Sequence, residues 1–258
     1  LFSGTPGRIA GLKRFLRKEY DNLFTVEVVC HGVPSPKVWR DYLKYKQEDL
    51  AVKHEQDKQI GLTKITNISF RDKSNGWKKY SFRMEYSNQF QIQNNADSTI
   101  DQNSTIEITP YKMDTYMAGF LKNLTLRPSC FLCAARKGKS GADISIADYW
   151  NIEAIHSGFD DDKGCGLVLV NSERGEHLYN SISHQIDAIH SFYKKAIIFN
   201  KCIIESVEQP TQRTLFWSIY PQKGIESIKF VCKQMKRPIY KRVISRLKRI
   251  ILTKLSSL

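Results

Sequence analysis

Short apolar runs and helix-spaced apolar residues alternate along the first part of the chain. Residues 24–30 form an apolar run short enough for a buried strand, and a turn at 31–34 follows it. Ser35 then caps a predicted helix whose first turn contains Pro36, a position where the missing N–H costs nothing. We expect this helix to run towards Lys58.

An antiparallel hairpin is predicted next. Residues 64–71 and 76–86 are its strands, and the turn sequence at 72–76 joins them. In the second strand, one face carries the apolar side chains Tyr80, Phe82, Met84 and Tyr86, in alternation with polar residues. The following segment, 87–109, is rich in Asn, Gln, Ser and Thr and is either a loop or a loosely specified third strand.

The rest of the chain returns to strands and helices. Asp114 is placed to cap a helix, 142–150 alternates as a strand with Ile144 and Ile146 inward, and 167–170 is a buried strand. Helices are expected at 173–189 and again from about residue 211. The order of elements predicts an α/β fold with a mixed sheet, flanking helices and an antiparallel hairpin insertion.

Length and composition limit the class of protein. The 258 residues, 41% of them hydrophobic, are enough to bury a substantial core. No apolar run approaches the roughly 18–20 residues of a membrane-spanning helix, and no signal peptide opens the sequence, so we expect a cytoplasmic protein. Because the first residues already read as a strand and a turn, we expect the chain to be a fragment that lacks an N-terminal part.

The net charge of +14 is concentrated near the end of the chain. From Lys233 onward there is no acidic residue, and apolar residues recur there at helical spacing, which predicts a basic amphipathic helix. We expect a domain at 1–220 and a helical basic tail at 221–258. The tail either packs on its own domain or a partner, or contacts an anionic membrane surface. Nucleic acid is not an expected partner, because the charge lies in one helix and does not alternate with aromatic residues across a face.

Six cysteines are too few for a disulfide-stapled scaffold of this length, and their spacing suggests a metal or redox site instead. Cys130 and Cys133, two thiols at i and i+3 in a turn, can bind one metal centre, and Cys30 is the best third ligand because it ends a predicted strand. The alternative is that the pair are unligated thiols. Cys202 and Cys232 are interpreted as packing residues of a strand and a helix.

Several longer motifs resemble those of a known family. In order, they are GTPGRIAGLKRFL, VVCHGVPSPKVWRDYL, YMAGFLKNLTLRPSCFLC, ADISIADYW and DDKGCGLVLVNSERG. Together they resemble the C-terminal region of the coenzyme F420 hydrogenase/dehydrogenase beta-subunit family, and in particular bacterial members found among polysaccharide-biosynthesis genes. The resemblance extends from residue 1 to about residue 220.

This resemblance implies an iron-sulfur flavoprotein oxidoreductase. Such a protein holds a 4Fe-4S cluster on cysteines and an FAD that passes electrons between the cluster and a deazaflavin or another acceptor. A ferredoxin-like domain or protein is the implied redox partner, and the FAD would be shared with the missing N-terminal region. Carried over by motif, the cluster ligands are Cys30, Cys130 and Cys133, and His31 is expected to hydrogen-bond a cluster sulfur.

The sequence departs from the family at one ligand. Where the family motif reads Gly-Thr-Pro-Cys-Gln, this chain has Gly7 and Arg8, so one thiolate is missing. Three outcomes stay open: a cluster with three protein ligands and an exchangeable fourth, a cluster completed by another residue, or no cluster. Cys165 is the predicted substitute, with a free loop thiol as the alternative. If no cluster forms, the chain would be a redox-inactive scaffold or partner-binding domain.

A cofactor phosphate has one candidate position. Residues 4–11 lie between a strand and a predicted helix, where free N–H groups at the helix N-terminus bind phosphate, and Thr5 and Arg8 could contact it. A plain strand-turn-helix connection explains the same residues. Asp143, Asp148, Tyr149 and Trp150 also belong to the family motifs, but the sequence does not indicate their chemistry.

Overall fold

The structure is a computed structural model that describes residues 1–56, 61–91 and 100–235. Its strands are β1 Phe2–Gly4, β2 Thr25–Val28, β3 Gly61–Asp72, β4 Ser81–Gln91, β5 Ile100–Pro110, β6 Ile144–Asp148 and β7 Gly166–Val170. Its α-helices are α1 Pro6–Leu16, α2 Pro36–Gln56, α3 Thr115–Leu121, α4 Glu173–Ile182, α5 Tyr193–Ala196, α6 Arg213–Lys223 and α7 Glu226–Gln234. Short 3-10 turns lie at Pro128–Leu132, Ile152–Ala154, Ser183–Gln185 and Lys201–Ile203.

The described residues form two compact units. Unit 1 contains Leu1–Val33 and Arg127–Glu208, and unit 2 contains Pro34–Leu126 and Gln209–Lys236. The chain therefore leaves unit 1 after its second strand and returns to it at the turn that carries Cys130.

Unit 1 is built on a mixed sheet with the strand order β1-β2-β6-β7. β1, β2 and β6 are parallel, whereas β7 runs antiparallel to β6, and Asp148 pairs with Gly166. Parallel strands end at the same edge of a sheet, so the carboxyl ends of β1, β2 and β6 and the start of β7 lie along one edge. We call this the carboxyl edge.

Helix α4 explains which part of the sheet is buried. Ser172 caps the helix by accepting a hydrogen bond from the Gly175 N–H at 3.0 Å. Gly175 lies so close to β6 that a Cβ there would come within 2.2 Å of the Asp143 carbonyl oxygen. Ile144, beside this helix, is buried as expected, but Ile146 is 38% exposed. The inward orientation predicted for Ile146 is thus wrong, because α4 covers only one end of the strand.

Unit 2 packs helices on the antiparallel sheet β3-β4-β5. The alternation in the predicted hairpin is confirmed, since four side chains of its second strand are buried: Tyr80, Phe82, Met84 and Tyr86. They join one hydrophobic core with residues of α2, α3, α6 and α7. Asp114 caps α3 by accepting a hydrogen bond from the Met117 N–H at 2.8 Å, as predicted.

The predicted fold class, α/β with a mixed sheet and an antiparallel hairpin, is confirmed. The polar segment 87–109 is in part a true third strand, because β5 pairs along β4 from Ser81 to Gln91. The helix predicted at 173–189 ends at Ile182, and a 3-10 turn and an extended segment follow it. The basic amphipathic helix lies, from residue 236 on, outside the described residues, and the boundary predicted near residue 220 stays a prediction.

Within the described ranges, no helix combines the length and the apolar character that crossing a membrane requires.

Candidate functional site

The carboxyl edge of unit 1 brings two of the sequence motifs side by side. Gly4 of β1 pairs with Glu27 of β2, so the turn after β1 and the turn after β2 emerge next to each other. Gly7 lies in the first turn of α1, directly after β1, and Cys30 and His31 lie in the turn after β2. This edge is where α/β proteins commonly place their ligands.

The Cys-x-x-Cys turn is fixed to the turn that follows Cys30. The Arg127 N–H donates a hydrogen bond to the Val33 carbonyl oxygen at 2.9 Å. The Val33 N–H donates in return to the Cys130 Sγ at 3.2 Å. Cys130 lies in the 3-10 turn Pro128–Leu132, which ends at Cys133. The structure therefore places Cys30, Cys130 and Cys133, the three cysteines selected by motif and spacing, in one region of unit 1.

A third segment, residues 201–206, joins these two turns. The Cys133 N–H donates to the Ser206 Oγ at 3.0 Å, and the Lys137 N–H donates to the Ile203 carbonyl oxygen at 3.0 Å. Cys202, in the same segment, has its Sγ 3.7 Å from the His31 Nδ1. Cys202 lies on a 3-10 turn, so its predicted place on a strand is wrong.

Arg136 lies buried among these segments and is only 7% exposed. Its Nη1 donates to the Cys202 carbonyl oxygen, and its Nη2 donates to the His31 carbonyl oxygen at 3.2 Å. Its Nε has no hydrogen-bond partner among the described residues. A buried cation is costly unless negative charge compensates it, which points to thiolates or a ligand with negative charge beside it.

The electrostatics of the cysteines follow from this arrangement. Burial is the main cause that raises the pKa of the Cys30 thiol, and Arg136 partly offsets it. The thiols of Cys130, Cys133 and Cys202 raise the pKa of Cys30 further. Burial also raises the pKa of Cys202, again against the effect of Arg136. Three other thiols and the Arg136 guanidinium therefore lie near enough to the Cys30 thiol to influence its pKa.

The state and spacing of the cysteines bear on what they could bind. All six cysteines are partly buried, and none is paired in a disulfide. In the described part of the chain, no three His, Cys, Asp or Glu side chains converge closely enough to hold one metal ion. The thiolates of an iron-sulfur cluster bind different iron atoms, so they stand farther apart than the ligands of one ion.

Cys165 lies at the same carboxyl edge but beside another strand. It precedes β7, and its Sγ points to the Phe159 carbonyl oxygen at 3.6 Å. β6 lies between β2 and β7, so two strand spacings of about 4.8 Å separate the strand of Cys30 from that of Cys165. Cys165 packs in a hydrophobic cluster around Tyr149 and Leu167 and lines a cavity of about 740 Å³. Its assignment as a ligand stays a prediction.

The predicted phosphate contacts lie at the N-terminus of α1. Thr5 is the N-cap residue, but its side chain makes no capping hydrogen bond, and Pro6 occupies the first helical position. Gly7 and Arg8 are exposed there, and a Cβ added at Gly7 would meet nothing within 4 Å. The geometry leaves room for an anion at this helix end, and the roles of Thr5 and Arg8 stay predictions.

The motif residue Asp143 has a structural place. It is 5% exposed, and its carboxylate accepts hydrogen bonds from the Thr25 N–H at 2.8 Å and the Thr25 hydroxyl at 2.7 Å. The Ser172 hydroxyl donates to its other oxygen at 2.7 Å. Asp143 thus connects β2 with the cap of α4.

Sequence reasoning missed Arg136, Cys202 and Ser206. None of them stands in a recognisable pattern, and Cys202 is 171 residues from the histidine it approaches. A contact between positions so distant leaves no local signal in one sequence.

Comparison with known proteins identifies the family. The model of a family described as the C terminus of the beta subunit of coenzyme F420 hydrogenase/dehydrogenase matches residues 1–190. The chain belongs to this family. The match includes both cysteine turns and Arg136 but ends before Cys202. No curated protein and no solved structure is significantly similar to the chain.

Proposed function

We propose that this chain is the cluster-bearing part of an iron-sulfur flavoprotein oxidoreductase. In this proposal, Cys30, Cys130 and Cys133 hold a 4Fe-4S cluster at the carboxyl edge of unit 1. The observation that carries it is the joining of the two cysteine turns by the hydrogen bond from the Val33 N–H to the Cys130 Sγ. Membership of the beta-subunit family supports the redox class.

The residues around the thiols have roles that suit such a site. The Val33 N–H lowers the electron density on the Cys130 sulfur, and hydrogen bonds of this kind tune the potential of a cluster. Arg136 supplies positive charge close to sulfurs that must be deprotonated to bind iron. His31 holds its carbonyl oxygen towards Arg136 and its ring towards Cys202. When bound, the cluster supplies one-electron transfer.

The proposal includes a flavin and a redox partner. FAD contributes the step between one- and two-electron chemistry, and its phosphate would contact the N-terminus of α1 through Thr5 and Arg8. The expected partner is a ferredoxin-like domain or protein, and the acceptor serves polysaccharide biosynthesis in the cytoplasm. These finer statements come from the resemblance of the sequence motifs.

The test is the iron and acid-labile sulfide content of the full chain after anaerobic reconstitution. We expect about four of each per chain, and loss of most of both in Cys130→Ser. Cys232→Ser is the matched control, because Cys232 lies on α7 and packs against the core of unit 2. The proposal is wrong if the unmodified chain binds no more iron than Cys130→Ser does.

A second candidate function is a redox-inactive scaffold, which is favoured by Gly7 at the position of the family's cysteine. In that case the thiols would stay free after reconstitution. The same iron and sulfide measurement distinguishes the two functions.

A further inference from the structure

The proposed cluster has three cysteine ligands from the family motifs, and Gly7 offers no fourth side chain. A cubane cluster held by four cysteines binds one thiolate at each iron. The question is therefore whether another described thiol lies beside the first three. Cys202 meets this condition through contacts on two sides.

The first contacts position the backbone of Cys202. Arg136 follows Cys133 by three residues, and its guanidinium donates to the carbonyl oxygens of both Cys202 and His31. It therefore ties residue 202 directly to the residue after Cys30. On the other side, the segment is held to the Cys-x-x-Cys turn by the Ser206 Oγ, which accepts from the Cys133 N–H at 3.0 Å.

The second contact positions the side chain. The Cys202 Sγ lies 3.7 Å from the Nδ1 of His31, the residue that follows Cys30, so the thiol is directed towards the Cys30 turn.

We propose that Cys202 is the fourth thiolate ligand of the cluster, in place of the cysteine that the family has at the position of Gly7, and that the buried Arg136 offsets part of the negative charge of the cluster. This inference rests on the proposed function, since it assumes that a cluster binds at Cys30, Cys130 and Cys133. It selects, among the three outcomes left open by the sequence, completion of the site by another residue.

Cys165 is the rival that the experiment must separate. Its thiol points to Phe159 in a hydrophobic cluster, and β6 intervenes between its strand and that of Cys30. A cysteine needs the correct position as well as a free thiol to bind a cluster.

The experiment compares Cys202→Ala, Cys165→Ala and Cys232→Ala in the full chain, each reconstituted anaerobically with iron and sulfide. We expect Cys202→Ala to lose at least half of its iron, or to yield a three-iron cluster seen by electron paramagnetic resonance. We expect the other two variants to keep the iron content of the unmodified chain.

Two outcomes would contradict the inference. If Cys202→Ala keeps the full iron content while Cys130→Ser loses it, this inference is overturned but the proposed function stands. Loss in Cys165→Ala alone assigns the fourth position to Cys165 and also overturns it.

A rescue variant adds a positive test. Gly7 lies in the first turn of α1, after the strand that pairs with the strand of Cys30, and an added Cβ there meets nothing within 4 Å, so the Cβ of Gly7→Cys fits without a clash. We expect Gly7→Cys to restore the iron that Cys202→Ala loses, whereas Gly11→Cys, also in open space but one helical turn further along α1, does not.

A measurement on the unmodified chain covers the case in which Cys202→Ala fails to fold. Alkylation of thiols, followed by mass spectrometry of the peptides, is compared before and after reconstitution. We expect the label at Cys202 to fall at least fivefold together with the labels at Cys30, Cys130 and Cys133, while the labels at Cys165 and Cys232 stay the same. An unchanged label at Cys202, with the other three protected, overturns the inference. If none of the labels changes and no iron is bound, the proposed function fails with it.

Discussion

At the scale of single residues, Asp143 illustrates how a motif residue can act through structure. Its carboxylate accepts hydrogen bonds from the Thr25 backbone and hydroxyl and from the Ser172 hydroxyl, and its own N–H donates to the Thr25 carbonyl oxygen at 3.0 Å. Burial raises the pKa of Asp143, but these hydrogen bonds outweigh burial and hold the pKa below its usual range. The residue therefore stabilises the folded state as a carboxylate.

Asp143→Asn should lower the free energy of unfolding by about 1–3 kcal/mol, because an amide nitrogen would face buried donors. Since the pKa of Asp143 is lower in the folded than in the unfolded chain, its contribution is complete above the unfolded value, about 4, and is lost as the pH falls through the folded value. Denaturant unfolding of both proteins between pH 7 and pH 3 measures this. The difference between them should shrink at the acid end.

Asp187→Asn is the matched control for this change, because Asp187 is exposed in an extended segment. It should leave the free energy of unfolding unchanged at both ends of the pH range. A difference between Asp143→Asn and the unmodified chain that stays constant down to pH 3 would contradict the assignment.

At the scale of elements, local patterns predicted much of the fold. Asp114 as a cap, and Phe82 and Met84 on a buried face, follow from hydrogen bonding and period-two alternation over a few residues, so one sequence is enough to find them. The Cys-x-x-Cys turn and the Cys30 turn were also recognised. Cys202 and Arg136 were not, because their meeting depends on how distant segments fold together. The predicted burial of Ile146 was wrong for the same kind of reason, because its exposure depends on how far α4 extends over β6.

The close approach of α4 to β6 makes a prediction about Gly175. A Cβ there would come within 2.2 Å of the Asp143 carbonyl oxygen, so Gly175→Ala must displace the helix, at a cost of about 1–3 kcal/mol. Gly11→Ala, in the exposed middle of α1 with open space around it, should instead stabilise the protein by about 0.5–1 kcal/mol. Thermal unfolding of the two variants compares them directly. If both substitutions changed stability in the same direction, the contact between α4 and β6 would not be as tight as described.

At the scale of the whole molecule, the chain folds as two units, and the site lies in one of them. Every residue assigned to the cluster belongs to unit 1, although the chain builds most of unit 2 between Cys30 and Cys130. The family match to residues 1–190 covers both cysteine turns, and the segment with Cys202 lies beyond it. The ligand set proposed here therefore combines the family's motifs with a thiol outside the matched region.

This placement predicts where a bound cluster should stabilise the molecule. A ligand that binds only the native state raises the stability of the folded protein, and the effect is largest in the segments that contact the ligand. Hydrogen exchange measured by mass spectrometry should show the largest gain in protection on reconstitution in the peptides that cover residues 28–33, 127–137 and 200–206, all in unit 1. The β4 and β5 peptides of unit 2 provide the internal reference, and Cys130→Ser, treated in the same way, should show no gain. A gain of equal size in β4 and β5, or one that Cys130→Ser retains, would mean that the stabilising ligand binds somewhere other than at these cysteines.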